Sequence, residues 1–305
     1  MEKREYGYAL PLLAACIIWG TSFVAGKVGV ENVDPVLFSL LRYGFAALSA
    51  LPIIFLFKEF DWTVMRSPLI WGISLINAVA MNLQNIGMTM TTVTNAVLLI
   101  DINVVYIAVL ASFVLKEKLT PKILIGLILG IVGVVIIATN GDVGAVGGGT
   151  FMGNMAVLVA GLLWSFYVVY LTKTLKSGTS MVSATFAIIL ITTILLVPFA
   201  LVFTQDWSVN ATGLEMAAYT GIFCTTLAFM LYSYGLRGLG ATVTSVILLL
   251  EIVFGMLFAI LLLDEMPTEI TAIGGAFIFL AVVVISWRWK KGRSKKDKGR
   301  GTAQE

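Results

Sequence analysis

Two long stretches of this chain are copies of one another. NAVLLIDINVVYIAVLASFVLKEKLTPKILIGLILGIVGVVII, from Asn95, aligns without a gap with VTSVILLLEIVFGMLFAILLLDEMPTEITAIGGAFIFLAVVVI, from Val243. Glu117 falls on Glu265, Thr120 on Thr268 and Gly126 on Gly274, and the same register reaches back to put Gly87 on Gly235. A looser echo pairs LLAACIIWGTSF, from Leu12, with VLVAGLLWSFYV, from Val157, a Trp following two bulky aliphatics in each. Self-similarity on this scale describes a tandem duplication of a half-chain unit, and it limits the fold more than any local pattern does.

The medium is set by composition. Hydrophobic residues make up 59% of the chain and charged residues 12%, against roughly a quarter charged in soluble domains. A helix needs about 20 mostly apolar residues to cross about 30 Å of hydrocarbon. Ten such runs are expected, at 8–28, 36–57, 69–89, 93–115, 122–139, 151–172, 181–204, 215–236, 242–263 and 270–288. The fold class expected is therefore an all-α integral membrane protein, multi-pass and in the plasma membrane. Its first five-helix repeat covers 1–140, an external glycine-rich linker 141–150, the second repeat 151–288, and a basic cytoplasmic tail 289–305, read as disordered. The first run is long, opens with Tyr-Gly-Tyr and carries no small-residue cleavage site before the next, so it is read as a retained span rather than a signal peptide.

Basic residues set the expected orientation. With the N-terminus inside, Lys3 and Arg4, Lys58 and Arg66, Lys116, Lys118 and Lys122, Lys173 and Lys176, Arg237 and the tail from Arg288 all face the cytoplasm, and Lys27 is left on the far side. The positive-inside rule then gives N-in, C-in. Five spans separate the fourth helix from its copy, the ninth, and an odd step reverses direction. The repeats are expected to be inverted about an axis in the membrane plane, an arrangement found in many secondary transporters.

Polar residues inside spans mark candidate binding positions, because they are expensive in lipid. Trp19 sits half-way along the first span rather than at its end, and Trp164 is its counterpart in the sixth, with Tyr167 close behind. In the third span Asn77, Gln84 and Asn85 share a helical face while Asn82 points elsewhere. The repeat register sets Thr225, Tyr232 and Ser233 of the eighth span opposite those three, which suggests one polar compartment shared by both halves. The alternative is that each polar residue glues helices together, at roughly 1 kcal/mol or less apiece.

Asp101 and Asn103 lie near the midplane of the fourth span and Glu251, aligned with Asn103, near that of the ninth. On a regular helix Asp101 and Asn103 are about 200° apart and should not face one narrow pocket. At least one of the two acids is expected to serve substrate or proton; the alternative for one of them is a structural acid, paired across a helix interface or protonated. Arg42, seven residues into the second span, is read as a structural arginine that snorkels outward or bonds a neighbouring helix.

Other features are assigned no chemistry. Cys16 and Cys224 are small core residues without a partner at metal or redox spacing. The glycine-rich 141–150 stretch lacks the Gly-Lys-Ser/Thr and preceding strand of a phosphate loop. The turns Leu-Lys-Glu-Lys-Leu-Thr-Pro (115–121) and Leu-Asp-Glu-Met-Pro-Thr (263–268) are ordinary helix stops at a membrane surface. The basic tail is drawn to anionic lipid rather than to nucleic acid. No cofactor or metal is expected. Glycines such as Gly126, Gly130, Gly133 and Gly274 permit close helix packing, within a monomer or across a homodimer.

The Trp-Gly-Thr-Ser-Phe start (19–23), the Leu-Arg-Tyr stretch around Arg42 and the paired blocks ending in Lys-Glu and Asp-Glu resemble the EamA-type branch of the drug/metabolite transporters. The resemblance runs over nearly the whole chain up to the tail. It implies an exporter or facilitator of small metabolites, with a central cavity built from the first, third, fourth, sixth, eighth and ninth helices. The family commonly carries a Pro about thirteen residues before each block's Glu; here Val104 and Ile252 stand there.

Within that resemblance, phosphorylated solutes of the nucleotide-sugar or triose-phosphate kind would need fixed cations in the cavity. Arg42 and Lys27 alone qualify, and both lie toward the outer side. A neutral, zwitterionic or cationic solute such as an amino acid is the better match to Trp, Tyr, Asn, Gln and a midplane acid. Without His in the chain, any proton coupling must use Asp101 or Glu251. An intramembrane enzyme or a receptor is the reading from another class, and the chain offers few parts for catalysis.

Overall fold

The structure, a computed structural model, describes residues 3–57, 60–91, 96, 99–139, 150–263 and 268–286. The expected tail, most of the linker at 141–149 and the Glu265 turn lie outside those residues. Among the described residues the chain is helical and no strand forms. Six helices are long and apolar enough to cross a membrane: Gly7–Asn32, Pro35–Leu56, Pro68–Met90, Phe151–Lys176, Met181–Phe203 and Ala211–Leu239. Four shorter apolar helices, Leu99–Val114, Pro121–Ile137, Ala241–Gly255 and Ala272–Ile285, lie at the other four predicted spans.

Several of these helices are interrupted. The first is α1 (Lys3–Gly20) and α2 (Ser22–Asn32), parted at Thr21, whose hydroxyl donates to the Ile18 carbonyl at 2.7 Å. Unbroken helices follow: α3 (Pro35–Phe57) and α4 (Pro68–Met90). The next begins at α5 (Asn103–Val114), with a turn at Ile102 just before it, and α6 (Pro121–Thr139) follows. The second half supplies α7 (Phe151–Lys176) and α8 (Met181–Phe203). Then come α9 (Ala211–Tyr219), a π-helical segment over Thr220–Leu227, and α10 (Ala228–Leu239). α11 (Ala241–Leu248) breaks at Leu249 before α12 (Leu250–Leu263), and α13 (Glu269–Ser286) closes the bundle.

The breaks at Ile102 and Leu249 fall at nearly equivalent positions of the two copies. Each residue has a helical φ with ψ near zero, −61°/−13° and −55°/−17°. Each carbonyl takes an amide three residues on, Val105 to Ile102 at 3.1 Å and Ile252 to Leu249 at 3.2 Å. One tight turn of this kind reorients the helix without a proline. The bend left open by Val104 and Ile252 is thus made by backbone tightening.

The halves exchange helices. α1 packs on α10 and α12, while α7 packs on α4 and α5, so the first helix of each half lies against the other half. α6 and α13 form a further inter-half pair. A Cβ on Gly133 would meet the Gly274 carbonyl at 2.7 Å, and one on Gly274 would meet the Gly133 carbonyl at 2.9 Å. These glycines therefore serve packing within one chain. α1 crosses α12 the same way, a Cβ on Gly20 meeting the Glu251 carbonyl and the Gly255 amide at 2.9 Å.

Glu117, read from sequence as part of a plain turn, is a tie between the halves. Oε1 accepts the Ala241 amide at 3.1 Å and Lys176 Nζ at 3.0 Å, while Oε2 accepts the Thr242 amide at 3.1 Å and its hydroxyl at 2.8 Å. The carboxylate caps the positive N-terminal end of α11. Gly240, at φ +83°, leaves it room: a Cβ there would stand 2.6 Å from Oε1. Burial raises the Glu117 pKa, but the Thr242 and Lys176 contacts outweigh it and hold the carboxyl below its ordinary 4.5.

Two outcomes follow from this packing. Gly133→Leu overpacks the α6–α13 crossing and costs about 1–3 kcal/mol, a drop of several degrees in the melting temperature of detergent-solubilised protein; exposed Leu280→Ala on the same α13 leaves it nearly unchanged. Because the Glu117 pKa is lowered on folding, its contribution is complete above about pH 4.5 and fades on acidification. Glu117→Gln lowers stability at pH 7 by about 1 kcal/mol, and the gap to the parent closes as the pH falls below that value.

Candidate functional site

Three of the interruptions, at Thr21, Ile102 and Leu249, flank one cavity, and the π segment stands behind it, where Thr225 bonds Arg42. The cavity is lined from α1 and α2 by Trp19, Ser22 and Gly26, and from α3 by Arg42. α4 contributes Met81, Gln84, Asn85 and Met88, the helical residues before the Ile102 turn contribute Ile100 and Asp101, and α5 contributes Asn103. Trp164 of α7, Phe229 of α10, Leu248 of α11 and Glu251 of α12 complete it. The lining starts mid-bundle and climbs toward the end where α4 meets the start of α7, joined by the Thr150 amide to the Met90 carbonyl at 2.9 Å. The space within it is about 80 Å³, room for a handful of waters. Solute pockets span about 300–1,000 Å³, so this cavity must widen to admit one.

Its floor is aromatic. Trp19 meets Trp164 edge-on at 6.3 Å, Phe229 edge-on at 5.6 Å and Tyr232 at 5.1 Å, and Trp164 stacks on Tyr167 at 4.6 Å. Trp19 Nε1 donates to the Cys224 carbonyl at 2.6 Å. That donation crosses to the π segment, whose extra residue per turn turns a main-chain oxygen outward. Tyr167 and Tyr232 are fully buried behind the floor, and their hydroxyls have no hydrogen-bond partner among the described residues.

Of the residues expected at a site, Trp19, Gln84, Asn85, Asp101, Asn103, Trp164 and Glu251 share this cavity; Asn77, Tyr167, Thr225 and Tyr232 do not line it. Asn77 lies about two turns along α4 from Gln84 and bonds instead, donating from Nδ2 to the Tyr43 hydroxyl at 2.7 Å and the Thr192 hydroxyl at 3.2 Å. It joins α3, α4 and α8. Thr225 accepts from Arg42 Nε at 2.9 Å. The mirrored polar set is therefore no single compartment: Asn85 donates to Ser39 at 2.8 Å in one half and Ser233 accepts from Thr185 at 2.8 Å in the other. Asn82 does point elsewhere, into an apolar groove of about 510 Å³ beside Phe199 and Phe203.

Asp101 and Asn103 both line the cavity, contrary to the regular-helix expectation. The turn at Ile102 between them supplies the reason, since 100° per residue does not hold across it. Asp101 is 5% exposed and its Oδ2 has no hydrogen-bond partner among the described residues; Glu251 is 7% exposed. The copies diverge at their shared position, Asn103 in one and Glu251 in the other, but not in how α1 and α7 seat against it. Ser165 Oγ of α7 reaches the Asn103 carbonyl at 3.3 Å where Gly20 of α1 abuts the Glu251 carbonyl.

Arg42 does bond a neighbouring helix, but it does not snorkel outward: it is 7% exposed and lines the same cavity as the two acids. Lys27 does not line it; its ammonium donates to the Met88 carbonyl at 2.9 Å and sits 3.6 Å from Glu31. Ser22, also in the lining, stands in the Trp-Gly-Thr-Ser-Phe stretch; Met81 and Phe229 were not singled out from sequence, and of these two Phe229 carried a readable signal, three residues before Tyr232 on one helical face. Among the described residues no three or more His, Cys, Asp or Glu side chains gather where a metal would sit.

Inward-facing polar groups at helix breaks, in a bundle built from two copies of one unit, define a membrane transporter. The chain belongs to the EamA-like transporter family, whose model matches it twice, over residues 7–139 and 151–287. It is 29% identical over 283 residues to an uncharacterized transporter of Archaeoglobus fulgidus, covering 90% of this chain and 95% of that one. It is 24% identical to the uncharacterized transporter YyaM of Bacillus subtilis, over 90% and 92% of the two chains. A solved crystal structure superposes with a TM-score of 0.76 at 18% identity, over 92% of this chain and 97% of its own, a likeness of fold.

Lining and tying residues should separate experimentally. Asn77→Ala, which unties three helices, lowers thermal stability by about 1–2 kcal/mol. Gln84→Ala, at the half-buried wall, leaves the melting temperature within a degree or so of the parent and alters solute uptake instead.

Proposed function

We propose that this chain moves a small organic metabolite, an amino acid or a similar neutral, zwitterionic or cationic solute, through the central cavity by alternating access, with export as the net direction. The observation that carries the reading is the meeting of Asp101 and Glu251, each on a separately broken helix, in one cavity with an aromatic floor. Buried intramembrane acids lining a cavity are costly and serve ions or substrates by default. A membrane topology of ten spans, N-in and C-in with the repeats inverted, accommodates the six long and four shorter apolar helices in their order along the chain. On that topology the cavity lies toward the outer face and the Glu117 tie holds the inner one.

A phosphorylated solute is the lesser reading. One cation, Arg42, faces two carboxyls across the cavity, and a phosphate dianion asks for the reverse balance. Proton coupling, if the transporter uses it, runs through Asp101 or Glu251.

Counterflow of a radiolabelled amino-acid mixture into proteoliposomes tests this, with and without an imposed pH gradient. Parent uptake that responds to the gradient, with the response abolished in Asp101→Asn or Glu251→Gln, identifies the coupling carboxyl. Uptake indifferent to the gradient and to both substitutions makes the protein a facilitator with structural acids. Absence of uptake for every amino acid, in a folded parent, withdraws the substrate class.

A further inference from the structure

We propose that Arg42 is an anion-binding subsite, which makes a free carboxylate a requirement on any solute that this cavity accepts. The inference rests on the transporter reading above and narrows its substrate to a zwitterion carrying both a carboxylate and an amine.

Three things set Arg42 apart from an arginine that merely braces helices. Its two side-chain partners, on different elements, leave one nitrogen over. Nε donates to Thr225 Oγ1 at 2.9 Å and Nη1 reaches the Met81 sulfur at 3.8 Å, a weak acceptor, while Nη2 has no partner among the described residues. The bracket is also built for the purpose. The Thr225 hydroxyl donates its own proton to the Thr220 carbonyl five residues back, at 3.0 Å, leaving its lone pairs for the guanidinium. Gly221, in the same π segment, lies so close to the Arg42 carbonyl that any Cβ would collide with it.

The third is the lack of a counter-ion. Among the described residues no carboxylate oxygen lies within 4.0 Å of Arg42, although Asp101 and Glu251 line the same cavity. A guanidinium and two carboxyls, each at least nine-tenths buried, face one small space without closing on each other. A buried guanidinium with no acid against it is expensive unless something joins it. A solute with a carboxylate at one end and an ammonium at the other does so. The planar guanidinium offers a two-pronged donor to the carboxylate, the acids take the ammonium, and the Trp19, Trp164 and Phe229 rings receive an apolar side chain.

Specificity then comes from rejection as much as attraction. An amine without a carboxylate leaves Arg42 buried and unpaired; a carboxylic acid without an amine leaves the acids so.

Trp19 and Trp164 in the lining give a direct readout, so binding is followed by tryptophan fluorescence of purified protein and transport by counterflow in proteoliposomes. The neutral amino acids are compared with their methyl esters and with the corresponding decarboxylated amines, on the parent and on Arg42→Gln, Arg42→Lys and Thr225→Val. The expected result is competition by free amino acids, with esters and amines at least tenfold weaker on the parent. Arg42→Gln loses that preference, Arg42→Lys retains part of it, and Thr225→Val raises the half-saturating amino-acid concentration several-fold.

Esters that compete as well as the free acids on the parent overturn the proposal while the transporter reading stands, and this comparison needs no variant to fold. So does an Arg42→Gln protein that keeps the parent's preference. A parent that binds and moves none of the amino acids, but does move amines or uncharged metabolites, overturns the substrate class of the earlier reading and this proposal together. The case in which only the proposal fails is thereby set apart.

Discussion

A backbone amide or carbonyl left unpaired in hydrocarbon costs several kcal/mol, so a helix can be broken at membrane depth only where protein or a cavity takes over its lost bonds. The interruptions at Thr21, Ile102, Leu249 and the π segment all obey that constraint, and the first three flank the same space. Each break is answered locally: the Thr21 hydroxyl on Ile18, the three-residue turns at Ile102 and Leu249, the Trp19 indole on the Cys224 carbonyl. The polar site and the irregular backbone are consequences of each other. A straight bundle with the same side chains would have no place to put Asp101 and Asn103 together.

Much of the fold was legible in sequence because it rests on quantities that survive averaging: apolar run length, and a gap-free register between the copies. The register located Asn103 and Glu251 as equivalents and the Trp19–Trp164 pair as central, both of which line the cavity. What was not legible depended on departures from the ideal helix. Counting 100° per residue sent Asp101 and Asn103 to opposite faces, and no local signal at Ile102 warned of the turn, since the residue that usually marks one, a proline, is replaced by Val104. Angular position along α4 grouped Asn77 with Gln84 correctly, yet helical phase says nothing of depth, and two turns were enough to take Asn77 out of the site and into a tie with Tyr43 and Thr192. Arg42 does bond a neighbouring helix, as one of its two sequence readings has it, but its partner was not legible: the hydroxyl that retains it belongs to a π segment, and that geometry has no signature in TGIFCTTL.

The two halves have kept their packing more faithfully than their chemistry. α1 and α7 seat on the broken helix of the opposite half at matching carbonyls, through bare backbone at Gly20 and through a hydroxyl at Ser165. At the facing position one copy holds an amide and the other an acid. A duplicated unit must preserve close backbone approach or lose the bundle, whereas a side chain pointing into a cavity touches little that constrains it. The asymmetry of Asn103 and Glu251 is what that freedom permits.

The exchange of first helices also has a consequence for how such a chain is made. Trp19 is hydrogen-bonded to a carbonyl 205 residues further on, and the face of α1 around it rests on α10 and α12. During synthesis α1 emerges at the start and its resting place near the end. For most of translation its indole N–H and the small residues beside it must sit against lipid or a temporary partner. The half with the earlier start is therefore the last to be finished, and whatever chaperones the nascent bundle has to shield a groove meant for helices not yet made.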